Sequence, residues 1–345
     1  MMNLNACTIG GSFMDASYFI PNETDEFLIS QYRDFLPKKI FDAHMHLPLG
    51  VTIPASQGTG VYFRDAFIPE DYLSDIGPLL PGVEKIRLNM MPHPADRVMA
   101  DRTNGLRDLG NDHVFALHKT HPEHVVSPFI LPTDDEGFLY ALADRPGCRG
   151  LKCYAYSTGA EDLEATFIQD YLPESAWVVA NERKLPIILH LFRRAALSDP
   201  SNFRYVTTMS KRYPNAQLVL AHCARGFAGW SMMKSIKELE DCGNIWFDLS
   251  AICESGPMAA CILKNAGKRT MWGSDYPASM LRGRAVGVGK WQDWLVDEDF
   301  KGPERALIPA ENLLAFYHAA LLLDLDQTQI NDIFCNNAEA LFGKE

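Results

Sequence analysis

His44 and His46 stand two positions apart at the end of the apolar run Ile40-Phe41-Asp42-Ala43-His44-Met45-His46-Leu47. Side chains alternate faces along a β-strand, so the two imidazoles point the same way. Two imidazoles on one face of a strand end can close on one metal ion. A surface or core histidine pair would look the same, so the rest of the chain has to decide. Lys152 lies in Gly150-Leu151-Lys152-Cys153-Tyr154, and His190 ends Ile187-Ile188-Leu189. His222 ends Leu218-Val219-Leu220-Ala221, and Asp275 ends Met271-Trp272-Gly273-Ser274. An ionisable group at the edge of a buried apolar run is costly without a partner. A metal ion would supply one partner to all five runs.

The elements that must position these residues are short and continuously apolar. Strands are expected at 39–46, 83–91, 124–131, 150–156, 186–192, 216–222, 244–250 and 270–275. Helical segments are expected at 26–35, 111–121, 174–183, 203–212, 230–240, 311–323 and 327–342. Apolar strands alternating with helices indicate a parallel sheet buried on both faces. Eight of them fit an α/β fold, a (β/α)8 TIM barrel, with its site at the C-terminal strand ends. Residues 1–36 read as an N-terminal extension and 37–345 as the barrel. Segment 48–81 is a loop insertion, too long for a simple turn, of the length that often serves as a lid or contact.

The 345 residues are 47% hydrophobic and 22% charged, with a net charge of −12. That acidity argues against nucleic-acid binding and against anionic membranes. The eight cysteines include no C-x-x-C pair. They indicate a reducing compartment, the cytoplasm, without a disulfide framework. Residues 1–20 hold Asp15 and neither Lys nor Arg, unlike a signal peptide. No apolar run is long enough for a membrane span.

The chain resembles the amidohydrolase superfamily, in the branch that contains aminocarboxymuconate-semialdehyde decarboxylase. The resemblance rests on D-A-H-x-H at Asp42–His46, G-L-K at Gly150–Lys152 and I-L-H ending at His190. It continues with L-A-H-C ending at Cys223, G-S-D-Y-P at Gly273–Pro277, and the tail N-N-A-E-A-L-F-G ending at Gly343. It implies that His44, His46, His190 and Asp275 hold one divalent metal per chain. Zn²⁺ suits such a donor set, with Mn²⁺ or a second metal as alternatives. It implies that His222 and Asp275 handle protons beside a metal-activated water. Lys152 is a carboxylated bridge in binuclear relatives and an amine near the substrate in mononuclear ones; the mononuclear arrangement is expected here.

Arg193 and Arg194 follow one expected ligand and Arg225 follows His222 by three. With Arg64, beside Tyr62 and Phe63, they are candidates to pair a substrate carboxylate. Tyr154 shares a face with Lys152, and His93 follows the second strand into the expected pocket. His118 and His121 are expected at the surface, and Trp272, Trp291 and Trp294 in packing. Cys223 is expected to turn away from the site.

The expected activity is metal-dependent hydrolysis of a small ester, lactone or amide. The alternative is a decarboxylase or other lyase acting on a carboxylated unsaturated or aromatic acid. A remote alternative is a barrel that binds a ligand without turnover. A homodimer is the assembly that relatives suggest.

Overall fold

β1 (Lys39–His46) is buried at every position after the first, as a strand covered on both faces must be. It pairs in parallel with β2 (Lys85–Met91), which pairs in parallel with β3 (Val125–Val126). A second parallel sheet runs in the order β4 (Leu151–Cys153), β5 (Pro186–Leu189), β6 (Gln217–Leu220), β7 (Ile245–Asp248) and β8 (Thr270–Met271). This computed structural model describes residues 19–49, 66–93, 105–239, 242–295 and 304–343. The architecture is α/β with parallel sheets.

Backbone hydrogen bonds run between the two sheets on both sides. Lys152 N donates to Pro128 O at 2.8 Å, and Ile130 N to Lys152 O at 2.9 Å. On the other side Ala43 N donates to Trp272 O at 3.1 Å and Asp275 N to His44 O at 2.7 Å. Gly273 permits this second approach: a Cβ there would lie 2.8 Å from the His44 Cβ and 3.0 Å from its nitrogen.

The strands are shorter than the apolar runs suggest. β5, β6 and β8 stop before His190, His222 and Asp275, which lie just past the ladder. The chain then takes positive φ at His222 (55°), Cys223 (51°), Ala224 (57°), Arg225 (58°) and Asp275 (58°). Left-handed backbone costs an L-residue roughly 1–2 kcal/mol. Four such residues in a row after β6 form a left-handed turn, of the strained kind that clusters at functional sites.

Five helices support the frame early in the chain: α1 (Glu23–Tyr32), α2 (Pro69–Ile76), α3 (Leu106–Thr120), α4 (Glu136–Ala143) and α5 (Glu174–Arg183). α6 (Pro200–Arg212) follows, its first turn capped by Asp199, which accepts from Ser201 N. α5 has the expected bounds. The second half of segment 48–81 is a correction to the expected loop, because α2 is docked into the core. Its Tyr72 donates to the buried Asp42 of β1 at 2.7 Å. Asp42 also accepts from Ser274 N at 3.0 Å, and burial pushes its pKa up to about 7.

α1 starts in a capping box between Asn22 and Asp25. Asp25 is fully buried and accepts from Arg282 Nη1 and from Leu307 N, both at 2.7 Å. The apolar side of α1, Leu28, Ile29 and Tyr32, belongs to the core beside the helix Ile308–Leu323.

Besides α2, three further elements are absent from the sequence expectation. They are α4, the helix Ser255–Asn265, and an antiparallel hairpin of β9 (Arg284–Val288) and β10 (Trp291–Leu295). The expected helix 327–342 is broken by a widened turn over Asp332–Asn336. Among the described residues no helix is long and apolar enough to cross a membrane.

Candidate metal centre

The ring of His44 is fixed from behind. Its Nδ1 lies 2.9 Å from Asp248 Oδ2, so the proton sits on Nδ1 and Nε2 carries the lone pair. His46 Nδ1 donates to Pro92 O at 3.0 Å, which likewise leaves Nε2 as the acceptor. His222 Nδ1 donates to Ser250 O at 3.1 Å. Three histidines from two strand ends are thus held in the same tautomer by oxygen acceptors behind them, the arrangement usual for imidazole ligands.

The free edges of these rings converge. His44 Nε2 and His46 Nε2 each lie 3.5 Å from Asp275 Oδ1. His44, His222 and Asp275 offer ligand atoms within 4.8 Å of one another. The His44 ring centroid is 5.3 Å from that of His46 and 4.8 Å from that of His222. The β1 register shift between Asp42 and Met45 falls at the step that carries His44, and such bulges re-aim side chains beside sites.

His190 stands across from His222, with ring centroids 5.0 Å apart. Its Nδ1 is buried with no hydrogen-bond partner. A buried polar atom without a partner is costly, and it is what an imidazole waiting for an electrophile leaves behind. With three Nε2 lone pairs and a carboxylate beside it, the donor set fits a divalent metal ion.

Lys152 Nζ donates to His44 Nε2 at 3.2 Å, and burial holds its pKa down. Burial, then the Lys152 charge, lowers His44 to about 4 and His46 to about 3. Burial, then His222, depresses His190. Each imidazole is therefore neutral at neutral pH, as a ligand must be. Asp248 is the exception to burial: burial pushes its pKa up, but His44 and the surrounding donors outweigh this and hold it below the usual carboxylate range. Its Oδ1 accepts from His222 N and Ser250 N, each at 3.1 Å, and from Ser250 Oγ.

Asp248 is the residue that sequence reasoning missed. The signal was present, because it ends the apolar run Ile245-Trp246-Phe247 as the other site residues end theirs. His93 does reach the site, its ring 5.3 Å from that of His46.

The wall beside His190 is aromatic. Tyr154 and Phe192 have ring centroids 4.5 and 4.7 Å from that of His190. The Arg225 guanidinium lies 5.7 Å from the Phe192 ring centroid, and burial lowers its pKa. Arg225 Nη1 donates to Arg193 O at 2.8 Å, and the Gln292 carboxamide of β10 lies 3.1–3.2 Å from its guanidinium nitrogens. Arg193 points its own guanidinium to Asp199 at 2.8 Å. Arg194 pairs with Glu164 at 3.1 Å and lies 3.9 Å from the centroid of Trp291. Trp291 is half exposed, which corrects its expected packing role, whereas Trp272 is fully buried. Cys223 is buried against Cys261. His118 and His121 are half-buried, which corrects their expected surface placement. Arg64, Tyr62 and Phe63 lie outside the described residues.

The amidohydrolase family profile matches residues 41–344. The chain belongs to the amidohydrolase family. This amidohydrolase is 27% identical over 206 residues to the L-fucono-1,5-lactonase of Burkholderia ambifaria, an alignment covering 54% of this chain and 66% of that protein. The match thus spans just under two thirds of that relative's length.

Among solved structures it is similar to 5-carboxyvanillate decarboxylase of Novosphingobium aromaticivorans, complexed with manganese and 4-hydroxy-3-methoxy-5-nitrobenzoic acid. The TM-score is 0.56 at 13% identity, over 90% of this chain and 97% of that one. It is also similar to a probable 2-pyrone-4,6-dicarboxylic acid hydrolase of Acinetobacter baumannii with citric acid bound. There the TM-score is 0.57 at 12% identity, over 88% and 98% of the two chains. At such identities the likeness shows the fold alone. The amidohydrolase carries a candidate His/Asp metal site.

Proposed function

We propose that this enzyme is a metal-dependent hydrolase of a small, carboxylate-bearing lactone or a related ester or amide. The observation that carries the reading is the convergence of His44 Nε2 and His46 Nε2 on Asp275 Oδ1 at 3.5 Å, with their other nitrogens tied back. The lactonase relative supports the choice of substrate bond. The eight strands close into one barrel over 37–345, with 1–36 as an extension, a reading supported by the backbone bonds joining the two sheets on both sides.

His44, His46, His190 and Asp275 hold one ion, of which zinc is the best chemical match and manganese the alternative. When bound, the ion polarises a carbonyl and acidifies water. His222 Nε2, unprotonated because the Nδ1 proton goes to Ser250 O, accepts a proton from the attacking water, and the same proton returns to the leaving oxygen with the Asp275 carboxylate relaying it. Lys152 acts as an amine that reaches the substrate. Arg225 pairs the substrate carboxylate, steadied by the Arg193 carbonyl, while Tyr154 and Phe192 wall the pocket. Seven described cysteines are free thiols, which supports a reducing compartment such as the cytoplasm.

A decarboxylase is the second reading, favoured by the aromatic wall against His190 next to Arg225. The test is a product screen on the metal-loaded enzyme. Acid release from carboxylated lactones, lost on chelation, is the expected result. Carbon dioxide release from aromatic or unsaturated acids, without lactone opening, would transfer the reading to the lyase.

A further inference from the structure

A second set of metal donors lies away from this centre, in the turn His121-Pro122-Glu123-His124 between α3 and β3. His124 immediately precedes β3, so the turn sits at the N-terminal end of that strand, whereas His46 closes the C-terminal end of β1. His121 Nδ1 and His124 Nε2 both lie 3.8 Å from Glu123 Oε1. The two rings are stacked, 9° from parallel with centroids 6.0 Å apart. Ligand atoms of His121, Glu123 and His124 lie within 4.8 Å of one another.

None of these contacts is short enough to be a hydrogen bond. The donors face one another without satisfying one another. His124 is only 5% exposed, its Nδ1 has no hydrogen-bond partner among the described residues, and its Nε2 lies 3.8 Å from the Glu123 carboxylate. Burying such a ring without partners is costly, and an ion between the three side chains would supply one.

The turn is held ready for that ion. His121 N donates to Leu117 O at 2.8 Å and His124 N to His121 O at 3.1 Å. His118 Nδ1 donates to His124 O at 2.8 Å, and Arg87 Nε to Glu123 O at 2.6 Å. Behind His121, Glu70 Oε1 of α2 lies 3.6 Å from Nε2. Arg87 is a nearby cation, but its guanidinium is occupied by the carbonyls of Glu123 and Gly343.

We propose that His121, Glu123 and His124 form a peripheral site for a divalent transition ion of the zinc class. Two imidazoles and one carboxylate match that class rather than calcium or magnesium, and the remaining coordination is open to water. The proposal does not depend on the reading of the catalytic centre.

The test is zinc titration by calorimetry on the purified protein, with metal content counted after dialysis. Wild type should bind one equivalent more than His121→Ala and one more than Glu123→Gln, however many ions the catalytic centre holds. Both replaced side chains are partly exposed, and turnover in both variants should match wild type. Equal stoichiometry in wild type and the two variants overturns the proposal.

Discussion

Asp248 Oδ2 takes the Nδ1 proton of His44 at 2.9 Å, while Asp248 Oδ1 takes the backbone N–H groups of His222 and Ser250. One carboxylate therefore sets the ring of His44 and the backbone that carries His222. In Asp248→Asn the amide oxygen must face the two backbone donors, so its NH2 turns to His44. That forces the proton onto Nε2 and removes the lone pair a metal needs. Metal affinity should fall by about 10- to 100-fold, the usual cost of losing a ligand's supporting partner. Chelator competition measures this, and unchanged affinity would remove Asp248 from the assembly.

His190 has no hydrogen bond on Nδ1 to keep it in place for structural reasons. His190→Ala should lose the catalytic ion on dialysis and lose turnover with it, while retaining the peripheral equivalent. Asp275→Asn should weaken retention in the same assay. Unchanged activity in His190→Ala would take His190 out of the site.

Arg225 sits between the Arg193 carbonyl and the Gln292 carboxamide with its face near Phe192. Charge-assisted hydrogen bonds contribute about 1.5–3 kcal/mol, which is roughly 10- to 100-fold in affinity. Arg225→Met should raise KM for a carboxylate substrate by about that factor, with kcat little changed. The methyl ester of the same substrate should be turned over by both enzymes alike; a uniform loss would deny Arg225 a role in reading charge.

Burial keeps His44 at about 4 and His46 at about 3, below the 6.5 of a free imidazole. The unfolded chain therefore takes up protons first as pH falls. The stability tied to these neutral rings is fully present above about pH 6.5 and is lost as pH drops towards 4 and 3. The metal-stripped enzyme should show a falling Tm across that window. The loaded enzyme should melt higher than the stripped one at pH 7, because binding to the folded state alone is stabilising. Equal Tm with and without the ion would contradict a site preformed in the fold.

Tyr72→Phe removes a donor from the fully buried Asp42. Leaving a buried acceptor short of a partner costs about 1–3 kcal/mol, readable in denaturant unfolding. A neutral result would mean that α2 is docked by its apolar residues alone.

The polar ends of β1, β4, β5, β6 and β8 were legible because a doubly buried strand is continuously apolar, and a histidine, lysine or aspartate at its edge stands out. Asp248 carries the same signal but lies inside the expected strand 244–250, and its work is to hold another residue's ring. Strand lengths were overestimated for one physical reason. His190, His222 and Asp275 have left the ladder, and left-handed backbone at His222 and Asp275 aims them in ways no propensity encodes. The hairpin Arg284–Leu295 was not foreseen, although Gly289 supplies the positive φ its turn requires. It therefore could not be foreseen that Gln292 and Trp291 would meet Arg225 and Arg194.

Asp25 ties α1 to Arg282 and Leu307, and Leu28, Ile29 and Tyr32 belong to the core. The family match begins only at Phe41, so anyone trimming a gene to the recognised boundary would delete that clasp. The shortened product would leave the Leu307 amide and the Arg282 guanidinium without their carboxylate and uncover part of the apolar core beside the helix Ile308–Leu323. A product starting at Phe41 should therefore give a lower soluble yield than the full chain, read by comparing the two lysates.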